Sequence, residues 1–571
     1  MSFPGRLLKL QIVERTTSEN ENLSFLKITN CADLELGSCW RLYFSLGLTP
    51  RKLETRVQQT IIDGRYGYIE PASAWRGLHP NQTMEIPIES WLFTHMPAQA
   101  RQGFHLLSWE DSPENGSLTL PECLPPILTG ITTPPNSSMR DLSPSCDITP
   151  DTAHHRYVTN NGAYADSHFT IVPKPERLVT TGEKFKISAL DFDDSQMAKV
   201  LKELNKVGGL PAKIEHVSGL QGYELTVSKT GIEIKSGSAQ STFYAAHTLR
   251  QLINEDRLLQ PCIVSDKADF EHRGLFIDLA RHFHCVSDLK TIIQAMAAYK
   301  MNRLQLGISN DEGWRLEISE LEELTDIGAR RQFSSGARES KEALNPSWGD
   351  GPEEKYEFIS RAQFLDLLRF ADHHHVEIIV EFNLPAHANA LIRSIEARGR
   401  YKIIDPEDTS DHLSAQGYKN NIVNICMPDT YRLAKTILSA IADYYKAVGL
   451  QLKHIHLGGD ELPAGAWLGS PVCHHSPIWQ DSWNLDTEHG RQVATQALKK
   501  HYVDQVIAIV HDIDPHIKIG FWHEMSDALP EGVNAYITGW TTETPAPDLI
   551  DDILERRQEL VIANASFLYL D

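Results

Sequence analysis

Lys453-His454-Ile455-His456-Leu457-Gly458-Gly459-Asp460-Glu461 decides how the rest of the chain is read. It is a short β run that stops in two glycines and two adjacent carboxylates. Neighbouring side chains along a strand point to opposite faces, so consecutive acids inside one would be separated. After a Gly-Gly that frees the backbone, both can turn into one cavity. Two carboxylates in one cavity do not both ionise cheaply, so one of Asp460 and Glu461 is expected to carry a raised pKa and to donate a proton. The competing reading of any isolated Asp-Glu is an exposed loop, and the surrounding sequence decides between the two.

Outward from this stretch the pattern is strand then helix, repeated. Strands are expected at Leu275–Leu279, Arg303–Ile308, Val376–Phe382, His454–Leu457, Ile517–Trp522, Val533–Gly539 and Leu560–Ala563. Between them lie helical periodicities: one opening at Ser287, one behind the capping box Ser360-Arg361-Ala362-Gln363, one over 430–449, one over 488–510 and one over 547–557. This alternation defines a (β/α)8 TIM barrel over 271–571. Seven strands are read before Asp571, so the barrel is expected to be C-terminally incomplete.

Upstream, 169–270 reads as a small α+β domain, with a helix over 195–207, a hairpin of Tyr223–Val227 with Gly231–Lys235, and a second helix over 243–253. Residues 131–168 are a linker by composition, rich in Pro, Ser, Thr and Asn. Residues 1–130 alternate short apolar runs with turns, as in a β-sandwich of the carbohydrate-binding kind. Trp40, Trp91 and Trp109 could form a sugar platform there, with core packing the equal alternative.

The 571 residues carry a net charge of −22 and are 41% hydrophobic. That supports a large folded core and argues against nucleic acid or an anionic membrane as partner. No apolar leader opens the sequence, so the expected placement is cytoplasmic, or periplasmic should the true start lie upstream. The eight cysteines, Cys31, Cys39, Cys123, Cys146, Cys262, Cys285, Cys426 and Cys473, form no CxxC and are expected to be free thiols. His373-His374-His375 ends an amphipathic helix, and His474-His475 lies in a polar loop; neither has metal-ligand spacing, and no cofactor or metal is expected.

TIM barrels place chemistry at the C-terminal ends of their strands. Those ends carry Arg281, then Asn310-Asp311-Glu312-Gly313-Trp314-Arg315, Asn383 to His387, Asp460-Glu461, Trp522, Trp540, and finally Tyr569 and Asp571. Tryptophan faces pack on pyranose C–H surfaces while Arg and carboxylates bind hydroxyls, so the set suits a sugar. On Arg273–Phe283, Asn310–Arg315, Leu384–Ala388 and above all His456–Glu461, the chain resembles the family 20 glycoside hydrolases, in particular chitobiase-type bacterial β-N-acetylhexosaminidases.

The resemblance implies release of terminal N-acetylglucosamine from chitobiose or chitooligosaccharides by a substrate-assisted retaining mechanism. It makes Glu461 the acid/base and Asp460 the group that orients the 2-acetamido function. Arg281 and Asp571 are expected to bind hydroxyls, Trp522 and Trp540 to wall the acetamido pocket, and Tyr569 to hold the acetamido oxygen. His387 is expected to support Glu461 from behind, backed from the Asn310 position. The family usually has Asp at Asn310 and Asn383; Asn at position 310 is expected to leave His387 less basic and to lower the activity. The alternative is a catalytically impaired binder of GlcNAc oligosaccharides.

Overall fold

A computed structural model of the chain describes residues 8–16, 22–33, 35–38, 40–44, 56–63, 66–88, 104–108, 127–132, 171–254, 256–332, 342–347, 350, 354–540 and 547–569. The N-terminal part is a β-sandwich. One sheet holds, in spatial order, Thr83–Ile88, Asn22–Asn30, Leu8–Thr16 and Ile127–Thr132; the other holds Val57–Asp63, Tyr66–Pro71, Trp40–Phe44 and Phe104–Ser108. The period of two turns Leu26 and Ile28 inward against Trp40, Leu42 and Phe44, while Lys27 between them pairs with Glu85 outside. Trp40 is buried edge-on to Trp75 and belongs to this core, not to a platform. Trp91 and Trp109 lie outside the described residues, as does most of 131–168.

The second unit is a six-stranded mixed sheet ordered Leu190–Asp191, Leu210–His216, Gly231–Ser236, Tyr223–Ser228, Cys262–Asp266, Arg177–Thr180. The hairpin pairs Tyr223 with Ser236 and Ser228 with Gly231. Asp194 caps the helix Ser195–Leu201 and Ser238 caps Ala239–Leu252. The first is shorter than its expected span, because the chain tightens into a 3-10 turn over Lys202–Leu204.

This unit is bonded to the barrel. Arg273 donates to the Lys300 carbonyl at 2.8 Å and to the Tyr244 hydroxyl at 3.3 Å. Buried Lys300 donates to Asp266 at 2.6 Å and to the Tyr223 hydroxyl at 3.0 Å.

The barrel strands are β1 (Gly274–Asp278), β2 (Arg303–Gly307), β3 (Glu377–Glu381), β4 (His454–His456), β5 (Lys518–Trp522), β6 (Ala535–Gly539) and β7 (Glu559–Ile562). Each pairs in parallel with the next in chain order. Among the described residues β1 and β7 remain the two edges of this curled sheet. The outer helices follow the expected periodicities: Val286–Ala298, Arg361–His373, Pro428–Ala447, Glu488–Ile513 and Pro547–Glu555. The Ser360/Gln363 capping box is present in full. The first helix starts one residue before Ser287, with Cys285 at the N-cap and no side-chain cap bond. Among the described residues no helix is long and apolar enough to cross a membrane.

One expectation about the cysteines is corrected. Cys426 and Cys473, 47 residues apart, form a disulfide. They meet because the loops after β3 and β4 lie side by side, where Asn424 donates to Ser470 at 2.8 Å and Ser470 to Asp405 at 2.7 Å. Cys31, Cys262 and Cys285 are free thiols. The histidine tract is spent on local bonds: His374 Nδ1 meets the Phe370 carbonyl at 2.8 Å, and His375 meets Gln196 of the second unit at 2.7 Å.

Candidate active site

The organising stretch does what its glycines allow. β4 ends at His456, and Gly458 and Gly459 follow with φ of +65° and +91°. A Cβ at Gly458 would lie 1.8 Å from Asn383 Oδ1, so the strand end fits against β3's loop only as glycine. Beyond the turn, Asp460 and Glu461 both face His387. Its Nε2 lies 3.4 Å from Asp460 Oδ2 and 3.3 Å from Glu461 Oε2.

His387 is buried on the loop after β3, and its Nδ1 is 3.0 Å from Asp311 Oδ2. A carboxylate only accepts, so Nδ1 carries a proton. Asp311 is fixed in turn by the Asn389 backbone N–H at 3.1 Å and the Asn421 amide at 3.0 Å. The group behind His387 is therefore Asp311. Asn310 instead turns its Oδ1 back onto the Asp311 N–H at 2.8 Å. The expectation that Asn310 occupies the backing position and leaves His387 less basic is overturned. Burial alone would push His387 down. The Asp460 charge and the bonds to Asp311, Asp460 and Glu461 outweigh it and hold the imidazolium well above its usual range.

This cation also corrects the opening expectation of a raised pKa within the pair. Burial would raise Asp460, but His387, the Asn383 amide and the Arg281 charge bring it down to about 2. Burial would raise Glu461 too, yet bonds from His387 and Gln416 leave it below the ordinary carboxylate range. Asn383 contributes as an amide should: its Nδ2 donates to Asp460 Oδ1 at 2.7 Å and its Oδ1 accepts the Gly459 N–H at 3.0 Å. Asn383→Ala is expected to lower kcat/KM about 10- to 100-fold, the value of a hydrogen bond to a buried charge. Steady-state kinetics with an unchanged melting temperature would confirm it; a loss under threefold would refute it.

Arg281 follows β1 and is locked by Asp278 at 2.6 Å and Glu312 at 2.8 Å. Asp278, the last residue of β1, also accepts the Ala280 and Arg281 N–H groups and so sets the turn that aims this arginine. Trp314 and Arg315 are buried; Arg315 is spent on the Leu279, Ala280, Ala329 and Glu357 carbonyls and is structural.

Trp522 closes β5 as an almost buried side chain, its Nε1 donating to Glu381 Oε1 at 3.1 Å. Trp540, after β6, is half-buried and donates to both oxygens of Glu524 at 3.2 and 3.3 Å. Tyr569 follows the short helix Ala565–Leu568 and is 41% exposed, and Asp571 lies outside the described residues.

Three site groups carry no mark in the sequence pattern, and a fourth residue, Asp311, shows its role only in the fold. Glu381, at the end of β3, is buried inside the barrel beneath the pair and is also bonded by Gln305. Burial first, then the Asp460 charge, raise it to about 8. Glu524 is raised to about 7 by burial and then by Asp460. Gln416 donates to Glu461 Oε2 at 2.6 Å from the loop after β3. Asp311 was in view, but its tie to His387 was not. The nearest to a mark is Glu524's place two residues past a strand-end Trp.

The site and fold define a class: a parallel α/β sheet of the TIM-barrel kind with an adjacent Asp-Glu just past its fourth strand. The chain matches the model "Glycosyl hydrolase family 20, catalytic domain" over residues 270–571 and "Glycosyl hydrolase family 20, domain 2" over 168–267. It belongs to glycosyl hydrolase family 20.

It is 34% identical over 370 residues to an N,N'-diacetylchitobiase of Vibrio harveyi, a match covering 57% of this chain and 41% of that protein. It is 31% identical over 343 residues to a beta-hexosaminidase B of Pseudoalteromonas piscicida, covering 54% of this chain and 44% of the relative. The chain thus spans less than half the length of these two relatives. The fold matches the crystal structure of an exo-β-N-acetylglucosaminidase from Vibrio harveyi in complex with N-acetylglucosamine. That match has a TM-score of 0.72 at 23% identity and covers 98% of this chain and 82% of the other.

Proposed function

We propose that the chain is an exo-acting β-N-acetylhexosaminidase that removes terminal N-acetylglucosamine from chitobiose or short chitooligosaccharides by substrate-assisted retention. The observation that carries this is the Asp311–His387 pair facing two adjacent carboxylates, Asp460 and Glu461. Two acids side by side cannot flank a scissile bond as nucleophile and acid do in the two-carboxylate glycosidases, but they suit a substrate that brings its own nucleophile.

Asp460, ionised, accepts the acetamido N–H and turns the carbonyl oxygen toward the anomeric carbon. Glu461 takes up the proton of the His387 imidazolium it faces and passes it to the glycosidic oxygen as the C–O bond breaks and the acetamido oxygen closes an oxazolinium ring. The cation is stabilised by the Asp460 charge. The anionic Glu461 then takes a proton from water, which opens the ring with net retention, and the acid is restored. His387, charged and bonded to Asp311, shares a proton with Glu461 between its two roles. Arg281 and Asp571 bind sugar hydroxyls, Trp522 and Trp540 wall the acetamido group, and Tyr569 donates to its oxygen. Intact Asp460, Glu461, His387 and Arg281 favour this reading over an impaired binder.

The Cys426–Cys473 disulfide supports work in an oxidising compartment, the periplasmic alternative rather than the cytoplasm.

Hydrolysis of an aryl N-acetyl-β-D-glucosaminide tests the activity. The chain is expected to turn it over, Glu461→Gln to lose that turnover at least a hundredfold for a substrate with a poor leaving group, and a thiazoline mimic of the oxazolinium ion to inhibit. Turnover no higher than that of Glu461→Gln, with GlcNAc still bound, would establish the binder instead.

A further inference from the structure

We propose that Glu524 is a positioning residue of this site: its carboxylate holds the Trp540 indole against the pocket. The inference rests on the reading of Trp540 as a wall of the acetamido pocket.

Glu524 lies in the 3-10 turn His523–Ala528 that leaves β5. Both its carboxylate oxygens face one donor, Trp540 Nε1, at 3.2 and 3.3 Å. Its Oε1 also meets the backbone N–H of Glu461 at 3.5 Å. One side chain thus touches both the indole expected to wall the pocket and the main chain of the acid. A carboxylate straddling a single N–H presents its full negative charge to it, so ionisation of Glu524 tightens the bond and orders the ring.

The charged groups around Glu524 come from four directions. The loop after β4 brings Asp460 and Glu461, with the His387 cation beyond them. Its own turn brings His523, with Nδ1 at 3.2 Å from Oε2; burial pushes that imidazole below its usual value, so it adds no charge near neutrality. The helix Glu488–Ile513 brings Lys499, but this ammonium donates to the Glu524 main-chain carbonyl at 2.9 Å and pairs with Asp527 at 2.6 Å, away from the carboxylate. The end of β6 brings only the neutral indole. Glu524 therefore faces two acids without a cation of its own.

Burial and the Asp460 charge raise its ionisation to about 7, so the charge that holds the indole appears near neutral pH.

The experiment uses the full chain labelled with 15N at its tryptophan indoles, the Trp540 resonance being assigned by its loss in Trp540→Phe. In the wild type this resonance is expected to shift with pH about a midpoint near neutrality, and in Glu524→Gln to stay flat. In parallel, KM of the wild type is expected to change with pH about the same midpoint, and in Glu524→Gln to stay flat across it, because the amide oxygen accepts the indole N–H at every pH. A purely structural role would scale activity equally at every pH and leave the pH dependence of KM in place.

An indole resonance that does not titrate in the wild type, or that titrates unchanged in a folded Glu524→Gln, overturns the proposal. A wild type without turnover defeats the reading of the activity, while the indole titration still decides whether Glu524 governs Trp540.

Discussion

Asp460→Asn is expected to lower kcat on N-acetyl-β-glucosaminides by about 10²–10³, with KM changed far less. Asp460 is ionised throughout the working range, its pKa brought to about 2 against the effect of burial. That ionisation is built from the His387 contact at 3.4 Å, the Asn383 bond at 2.7 Å and the charge of Arg281. In the proposed mechanism this anion meets an acetamido N–H that becomes more acidic as the oxazolinium forms, so it would stabilise the transition state more than the bound substrate. The asparagine keeps the shape but loses the charge. Its amide must also choose between facing the Asn383 donor with its oxygen and presenting that oxygen to the substrate. Steady-state kinetics at the pH optimum measure the effect. A kcat within tenfold of wild type would mean that Asp460 is not the group that meets the developing cation.

Glu381→Gln is expected to make the protein more stable at pH 8 than the wild type, with the gap closing toward pH 5. Glu381 lies inside the barrel, accepts from Trp522 and Gln305, and faces the His456 ring at 3.4 Å. Burial and Asp460 raise it to about 8. In the unfolded chain the same carboxyl ionises near the ordinary value of about 4.3. Between those two values the folded state keeps a proton that the unfolded state has released. Unfolding then releases that proton, and stability falls as pH rises, by up to about 1.4 kcal/mol per pH unit from this group. Glutamine is neutral in both states and removes the slope. Its oxygen still accepts the Trp522 N–H, and its NH2 can stand where the acid proton meets His456. Burial holds that imidazole neutral, its pKa pushed to about 3. Melting temperatures of both proteins from pH 5 to 8 provide the check. Parallel curves would show that Glu381 is ionised in the folded state.

Features set by local physics are legible in the sequence. The seven strands were legible because each is an apolar run of five or so residues followed at once by polar groups. The capping box at Ser360 was legible because four consecutive positions specify it. The site was legible as an inventory but not as a circuit. Asn310 ends one strand of a small hairpin and Asp311 begins its two-residue turn, and only the fold decides which side chain meets His387. The acids of the pair were expected to split their pKa values by mutual repulsion. His387, 73 residues before Asp460 in sequence, contacts both and reverses that for each. The raised carboxyls are instead Glu381 and Glu524, which have no cation at hand. The disulfide joins two loops whose approach depends on the order of β3 and β4, and spacing alone does not encode it.

The junction between the second unit and the barrel limits how these parts can be exchanged. Lys300 is an ammonium with almost no access to water, and its counter-ion Asp266 and hydroxyl partner Tyr223 both belong to the preceding unit. A barrel excised at residue 271 would keep the cation and lose both partners, a worse state than having neither. The small unit thus acts as a neutralising foundation beneath the catalytic one. A recombinant or evolutionary graft that transplants the barrel has to carry that foundation with it, or first replace Lys300 by something apolar.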